Sequence, residues 1–215
     1  VTGHSIQAPP GTGPDLRDAA ASWPVESHRQ AKGAFVTLRT DEVRMPDGDL
    51  AARDLVEHPG AVAIVALDGT GQVLLIRQYR HPVGRLLWEI PAGLRDVPGE
   101  PLLAAAEREL REETGYTAKN WRVLVDCFTS PGILTERLRV FLARDLAKVP
   151  DRERGIVLKH EEAYLQTAWA PLETAVAAFL GGELHNGVAA VGILAAYAAS
   201  QSGFAELREA GARED

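Results

Sequence analysis

The sequence predicts an α/β fold, and three features of its 215 residues carry that expectation. Runs of strand length and strand composition fill the stretch from Gly33 to Arg80, an amphipathic helix follows the next loop, and two more helices close the chain after a further set of strands. With 46% hydrophobic and 25% charged residues, the chain has room for one sizeable core and a second small module.

Taken in order, residues 1–22 are rich in Pro, Gly and polar side chains, carry neither a basic leader nor an apolar run, and read as a loose tail. Two hairpin-type turns follow, Pro46-Asp47-Gly48 and Asp68-Gly69-Thr70-Gly71. The runs around the first are polar, and are expected to form a small antiparallel β-sheet region over residues 23–57, outside the main core. The runs around the second, Ala61 to Leu67 and its partner Gln72 to Arg80, are apolar enough to be central strands of a main domain over residues 58–203. After Pro91-Ala92-Gly93 a loop leads to a helix from Pro101 to about Thr114, with proline in its first turn and Gly115 just past its end. WRVLVDCF and RLRVFLARDL read as strands, and a polar linker then leads to AYLQTAWA. Helices over Leu172 to Leu180 and Gly187 to about Gln201 finish the domain, and residues 204–215 read as an acidic tail.

The 30 acidic against 23 basic residues give a formal charge of -7, which repels phosphate backbones and argues against a nucleic-acid partner. The one cysteine, Cys127, lies in an apolar run and reads as a small core residue in a reducing compartment, so a cytoplasmic location is expected. No His or Asn spacing supports Cys127 as a nucleophile. The longest apolar stretch, Val188 to Ala199, falls well short of the roughly 20 residues that a helix needs to cross a bilayer, so no membrane partner is expected.

The segment that carries chemistry runs from Gly93 to Tyr116. On a helix, Glu109 and Glu113 lie one turn apart with Glu112 beside them, and Leu103, Ala106 and Leu110 form the adjoining apolar stripe. Carboxylates at that density repel one another unless a cation joins them, and hard oxygen ligands suit Mg²⁺ or Mn²⁺. By itself, ERELREE is equally the vocabulary of a solvated helix face, with Arg108 and Glu112 as an ion pair.

The flanking pattern separates these readings. Gly93, a spacer, Glu100, seven residues, then Arg108, Glu109, Leu110, Glu112, Glu113, Gly115 and an apolar-type Tyr116 together resemble the Nudix box. Six residues separate Gly93 from Glu100, one more than the family pattern has. The resemblance implies a Nudix α/β/α sandwich with a mixed β-sheet. It implies Glu109 and Glu113 as the main metal ligands, Glu112 as a further ligand directly or through water, and the carbonyl of Ala92 as another. Arg108 and Glu100 would orient the carboxylates.

Three further pieces, QYRHPVGRLLWEIPAG, SPGILTE with Pro131 sixteen residues past Gly115, and HEEA at His160 to Ala163, look like the ADP-ribose pyrophosphatase group of that family. Read alone, Ser130-Pro131-Gly132 is a tight turn, Glu161 and Glu162 are solvated acids, and Arg80 is a buried ion-pair residue. The resemblance instead implies substrate contacts from Arg80, Ser130, Gly132 and Glu136, and a general base at Glu162 or its neighbour Glu161, working with Glu112. The implied reaction is Mg²⁺-dependent hydrolysis of ADP-ribose to AMP and ribose 5-phosphate. Another nucleotide sugar, NADH, or ADP-ribose binding without turnover are the alternatives. A homodimer with exchanged N-terminal strands is implied on the same ground.

Overall fold

The structure, a computed structural model, describes residues 22–150 and 165–214. Strands β1 (Val25–Lys32), β2 (Thr37–Arg44) and β3 (Leu50–Glu57) form an antiparallel sheet in that order. β4 (Ala61–Ala66), β5 (Gln72–Arg80), β6 (Arg85–Glu89) and β7 (Ala92–Leu94) follow, then α1 (Leu102–Thr114), β8 (Tyr116–Phe128) and β9 (Arg137–Lys148). The remainder is β10 (Gln166–Pro171), α2 (Leu172–Leu180), α3 (Gly187–Ser200) and a short β11 (Arg208–Glu209).

The main sheet runs β11-β8-β9-β4-β7, with β4 parallel to β9 and its other neighbours antiparallel, so it is mixed. β4 is buried along its whole length. Ala61, Ala63 and Val65 face a core shared with α2 and α3, while Val62, Ile64 and Ala66 face a core shared with α1. That period of two, with both faces covered, explains why the run is continuously apolar rather than alternating. The result is a three-layer α/β/α sandwich. α3 comes so close to the sheet that a Cβ on Gly192 would stand 2.7 Å from Ile90 Cδ1.

Three expectations change. The Asp68 turn forms, with the Asp68 carboxylate accepting from the backbone N–H of Thr70 and Gln72 at 2.8 Å each. The strands it joins do not stay paired, however. A single bridge links Leu67 to Val73, after which β5 pairs with β10 and β6 in a second antiparallel sheet. Both edges of β4 are taken by β9 and β7, which leaves β5 no ladder to join. Secondly, the expected 23–57 sheet region holds a strand ahead of the strand-like run from Gly33: β1, VESHRQAK, is a polar strand exposed at every position, so no hydrophobic alternation betrays it. Thirdly, the expected acidic tail after Gly203 is packed. β11 pairs with β8, and the guanidinium of Arg139 donates to the carbonyls of Ala212 (2.6 Å) and Arg213 (3.2 Å).

Candidate active site

α1 holds its carboxylates in place because the adjoining stripe is committed to the core: Ala105, Ala106 and Leu110 are buried against β4 and β8. The helix stops at Gly115, whose φ of 72° allows its N–H to reach Arg111 O. Facing the helix is β7, where Ala92 pairs with Ala63 and Gly93 with Val62.

Two α1 carboxylates meet this dipeptide. Glu113, only 7% exposed, accepts the backbone N–H of Ala92 at 3.0 Å. Glu109 lies directly over Gly93, and a Cβ built on that glycine would stand 2.0 Å from Glu109 Cδ. Gly93 is therefore required by close approach. Arg108 holds the surround together: Nε and one terminal nitrogen grip the Glu100 carboxylate at 3.1 and 3.0 Å. Its other terminal nitrogen donates to Glu109 at 2.6 Å and reaches Glu112 at 3.5 Å. The Arg108 hydrogen bond, ahead of its charge, pulls the Glu100 carboxyl below the usual glutamate range, and the Arg108 guanidinium is in turn held more firmly protonated by Glu100. Of Glu109, Glu112 and Glu113, Glu112 is the most open.

This donor set is all hard oxygen and fits a small divalent cation, since Glu109 and Glu113 converge on one backbone dipeptide whose Ala92 carbonyl is a further oxygen ligand type. Among the described residues no three acidic, His or Cys side chains close a metal shell unaided. Backbone, substrate or water oxygens would complete it, as is usual for Mg²⁺.

At the end of β5, Arg80 makes a two-point ion pair with Glu89, at 2.9 Å from Nε and 2.6 Å from a terminal nitrogen. Glu89 is 2% exposed and also accepts from Gln78 Nε2 at 3.3 Å, whereas the Arg80 side chain remains 45% exposed. The arginine is thus both an ion-pair residue and open on its outer side. Sequence reasoning passed over Glu89 and Gln78; the signal available was period-two spacing, which puts Gln78 and Arg80 of β5 on the same hairpin face as Glu89 of β6.

Ser130, Pro131 and Gly132 form an exposed tight turn in which Ser130 O accepts from the N–H groups of Ile133 (3.0 Å) and Leu134 (2.8 Å). The same segment is stitched to β3 through Val56, whose N–H donates to Ile133 O and whose carbonyl accepts from Thr135. Glu136 accepts from the Thr129 hydroxyl and lies 3.6 Å from His58 Nδ1. The structure therefore gathers Ala92, Glu100, Arg108, Glu109, Glu112 and Glu113 into one group. Arg80 pairs with Glu89, and Ser130 to Glu136 lie on the turn that follows β8. Glu161, Glu162 and His160 lie outside the described residues. Burial first, then the charges of Asp126 and Glu136, push the Cys127 thiol above its usual range, which disfavours the thiolate a nucleophile needs.

A hollow of about 560 Å³ borders Arg108 and Glu112 on the β8 side of α1. None of Ala92, Gly93, Glu109 and Glu113 lines it, so the convergence of Glu109 and Glu113 on the Ala92-Gly93 backbone lies beside this hollow rather than in it.

A model of the NUDIX domain matches residues 57–188. The chain is 47% identical over 184 residues to the ADP-ribose pyrophosphatase of Mycobacterium tuberculosis, covering 86% of each chain. It is 34% identical over 161 residues to the ADP-ribose pyrophosphatase of Bacillus subtilis, covering 75% of this chain and 84% of that one. Among solved structures, an ADP compounds hydrolase superposes with a TM-score of 0.69 at 20% identity, covering 87% of this chain and 99% of that one, a likeness that bears on the fold alone.

Proposed function

This chain belongs to the NUDIX domain family, and from that premise we propose that it hydrolyses the pyrophosphate of ADP-ribose to AMP and ribose 5-phosphate with Mg²⁺, or Mn²⁺ in its place. The observation that carries the reaction class is the convergence of Glu109 and Glu113 on the Ala92-Gly93 backbone, braced by the Arg108–Glu100 fork. Two relatives aligned over most of the chain, both ADP-ribose pyrophosphatases by name, support the substrate.

Glu109, Glu113 and the carbonyl of Ala92 would hold the cation, with Glu112 acting directly or through water. When bound, the cation supplies charge neutralisation at the pyrophosphate and makes the attacking water more acidic. Arg108 keeps the carboxylates apart and in register, so that their mutual repulsion does not turn them to solvent. Arg80, held from behind by Glu89, offers the open side of its guanidinium to a pyrophosphate oxygen, for which its planar fork is well shaped. Ser130, Gly132 and Glu136 are assigned to substrate contact. Glu162, with Glu161 as its neighbour and rival, is assigned to take the proton from water as a new O–P bond forms and the bridging P–O bond breaks.

We read the assembly as a homodimer built on the 23–57 region and the compartment as cytoplasmic, the latter on the single unpaired cysteine. The charge of -7 disfavours nucleic acid. No helix among the described residues is long and apolar enough to cross a membrane. The deciding experiment compares kcat/KM for ADP-ribose, nucleotide sugars and NADH with Mg²⁺ present. A clear preference for ADP-ribose supports the assignment, preference for another compound moves the substrate, and binding without turnover would make the chain a sensor.

A further inference from the structure

The β5–β6 hairpin has two faces, and the proposed reaction uses one of them. Gln78 and Arg80 turn toward Glu89, but Arg77, between β5 positions that face the other core, lies over the ring of Trp88, 5.6 Å from its centroid. Around the β6 edge of the hairpin a cavity of about 450 Å³ opens against the loop joining α2 to α3. Arg77, Arg85 and Trp88 line it from the hairpin, and Glu183, Leu184 and His185 from the loop.

Three features single this cavity out. Two guanidinium groups meet one carboxylate there, a local positive balance in a chain of net charge -7. The Arg77 Nε is buried and has no hydrogen-bond partner, although buried donors are nearly always satisfied. The Trp88 ring partly offsets the burial of the charge but leaves that N–H without an acceptor. Thirdly, the volume lies in the range of roughly 300–1,000 Å³ typical of small-molecule sites, with apolar wall next to the cationic end.

We propose that this cavity is a second binding site, separate from the carboxylate centre, for a small phosphate ester carried on a ring or apolar body. The ester oxygens accept from Arg77 and Arg85, which satisfies the orphaned Nε, and the body lies along Trp88 and Leu184. An arginine fork suits such an oxyanion better than a point charge would. Arg77 and Arg80 leave β5 on opposite faces, and Arg85, the cross-strand neighbour of Arg80, reaches the cavity from the edge strand β6.

The probe is phenyl phosphate, titrated calorimetrically into the full chain in metal-free buffer containing EDTA. Saturable binding is expected, weakened about tenfold or more in Arg85→Ala and Arg77→Ala and unchanged in Arg80→Ala. Arg77→Lys, which keeps the charge and loses the fork, should fall between. Arg85 is exposed, so its variant reports on the site even if Arg77→Ala fails to fold. Inorganic phosphate should bind more weakly than phenyl phosphate; equal affinity would remove the ring-bearing body from the proposal. Absence of saturable binding by the unaltered protein, or binding abolished by Arg80→Ala and retained in Arg85→Ala, overturns the site.

Discussion

Glu109 and Glu113 differ in how they are held, and that difference shapes what their replacement should do. Glu113 is pinned by the Ala92 N–H, a contact that the carbonyl of a glutamine can still accept, so Glu113→Gln should fold normally. Glu109 is pinned between Gly93 and Arg108, where an amide also fits. In the proposed centre each change removes a charged oxygen ligand, and kcat for ADP-ribose should fall by several orders of magnitude with little change in Tm. A variant that keeps more than about a tenth of the rate at saturating Mg²⁺ would refute the assigned centre. Gly93→Ala should mimic the loss of Glu109 by displacement, because the new methyl occupies the carboxyl's space; near-normal activity would show that Glu109 can act from elsewhere. The base is tested by Glu161→Gln and Glu162→Gln side by side. Loss of a base costs about 10²–10⁴-fold in rate, against less than about twofold for a solvated glutamate, so a large drop confined to Glu161→Gln moves the role one residue back.

At the scale of elements, the C-terminal segment acts as a strap across the loop that enters α1. Glu214 receives Arg95 of that loop at 3.1 Å and lies 3.8 Å from Arg137. Arg139, 2% exposed, grips both the strap carbonyls and the Asp126 carboxylate, the latter at 2.7 and 2.8 Å, and Arg208 of β11 adds a third contact to Asp126. Removing residues 204–215 should therefore lower Tm and raise the KM for Mg²⁺, since Arg95 is two residues from Gly93; a truncated enzyme with unchanged metal dependence would show the strap to be irrelevant to the loop. Asp126 also makes a pH prediction. Burial alone would raise its carboxyl, but the hydrogen bonds and charges of Arg139 and Arg208 outweigh burial and hold it below its ordinary value of 3.8. With the folded value below the unfolded one, its stabilisation is complete above about pH 4 and is lost as pH falls through the folded value. Asp126→Asn should cost roughly 3–5 kcal/mol near pH 7, because it takes the counter-charge from a buried guanidinium, and the gap in Tm should narrow toward pH 3. A gap that stays constant over that range would rule out the linkage.

For the whole molecule, the N-terminal sheet is the open question of packing. All eight residues of β1 are exposed, and Trp23, Phe35 and Leu38 are each more than half exposed, an apolar display that a sheet layer ordinarily covers. A second copy of the same region is the occupant proposed here. Sedimentation should give twice the chain mass, and a chain lacking residues 1–33 should sediment as a monomer. A monomeric full-length protein would remove the dimer from the account.

Much of the candidate site is legible in the sequence because the box is local: acidic positions spaced along one helix, a glycine that ends it and an arginine one residue from Glu109 are all properties of consecutive residues. The continuous apolarity of Ala61 to Ala66 likewise announced a strand covered on both faces. Which strands would pair was not legible, since the Asp68 turn is compatible both with a lasting hairpin and with the observed divergence, and only the competing ladders of β9 and β7 decide between them. Partners distant in sequence were equally hidden. Glu89 behind Arg80, Glu214 on Arg95 and Val56 on the Ser130 turn depend on chain segments brought together by packing, and no periodicity within either segment records the other. Short-range order is written in spacing, whereas the supports that aim each functional group arise from long-range contacts that only the folded chain creates.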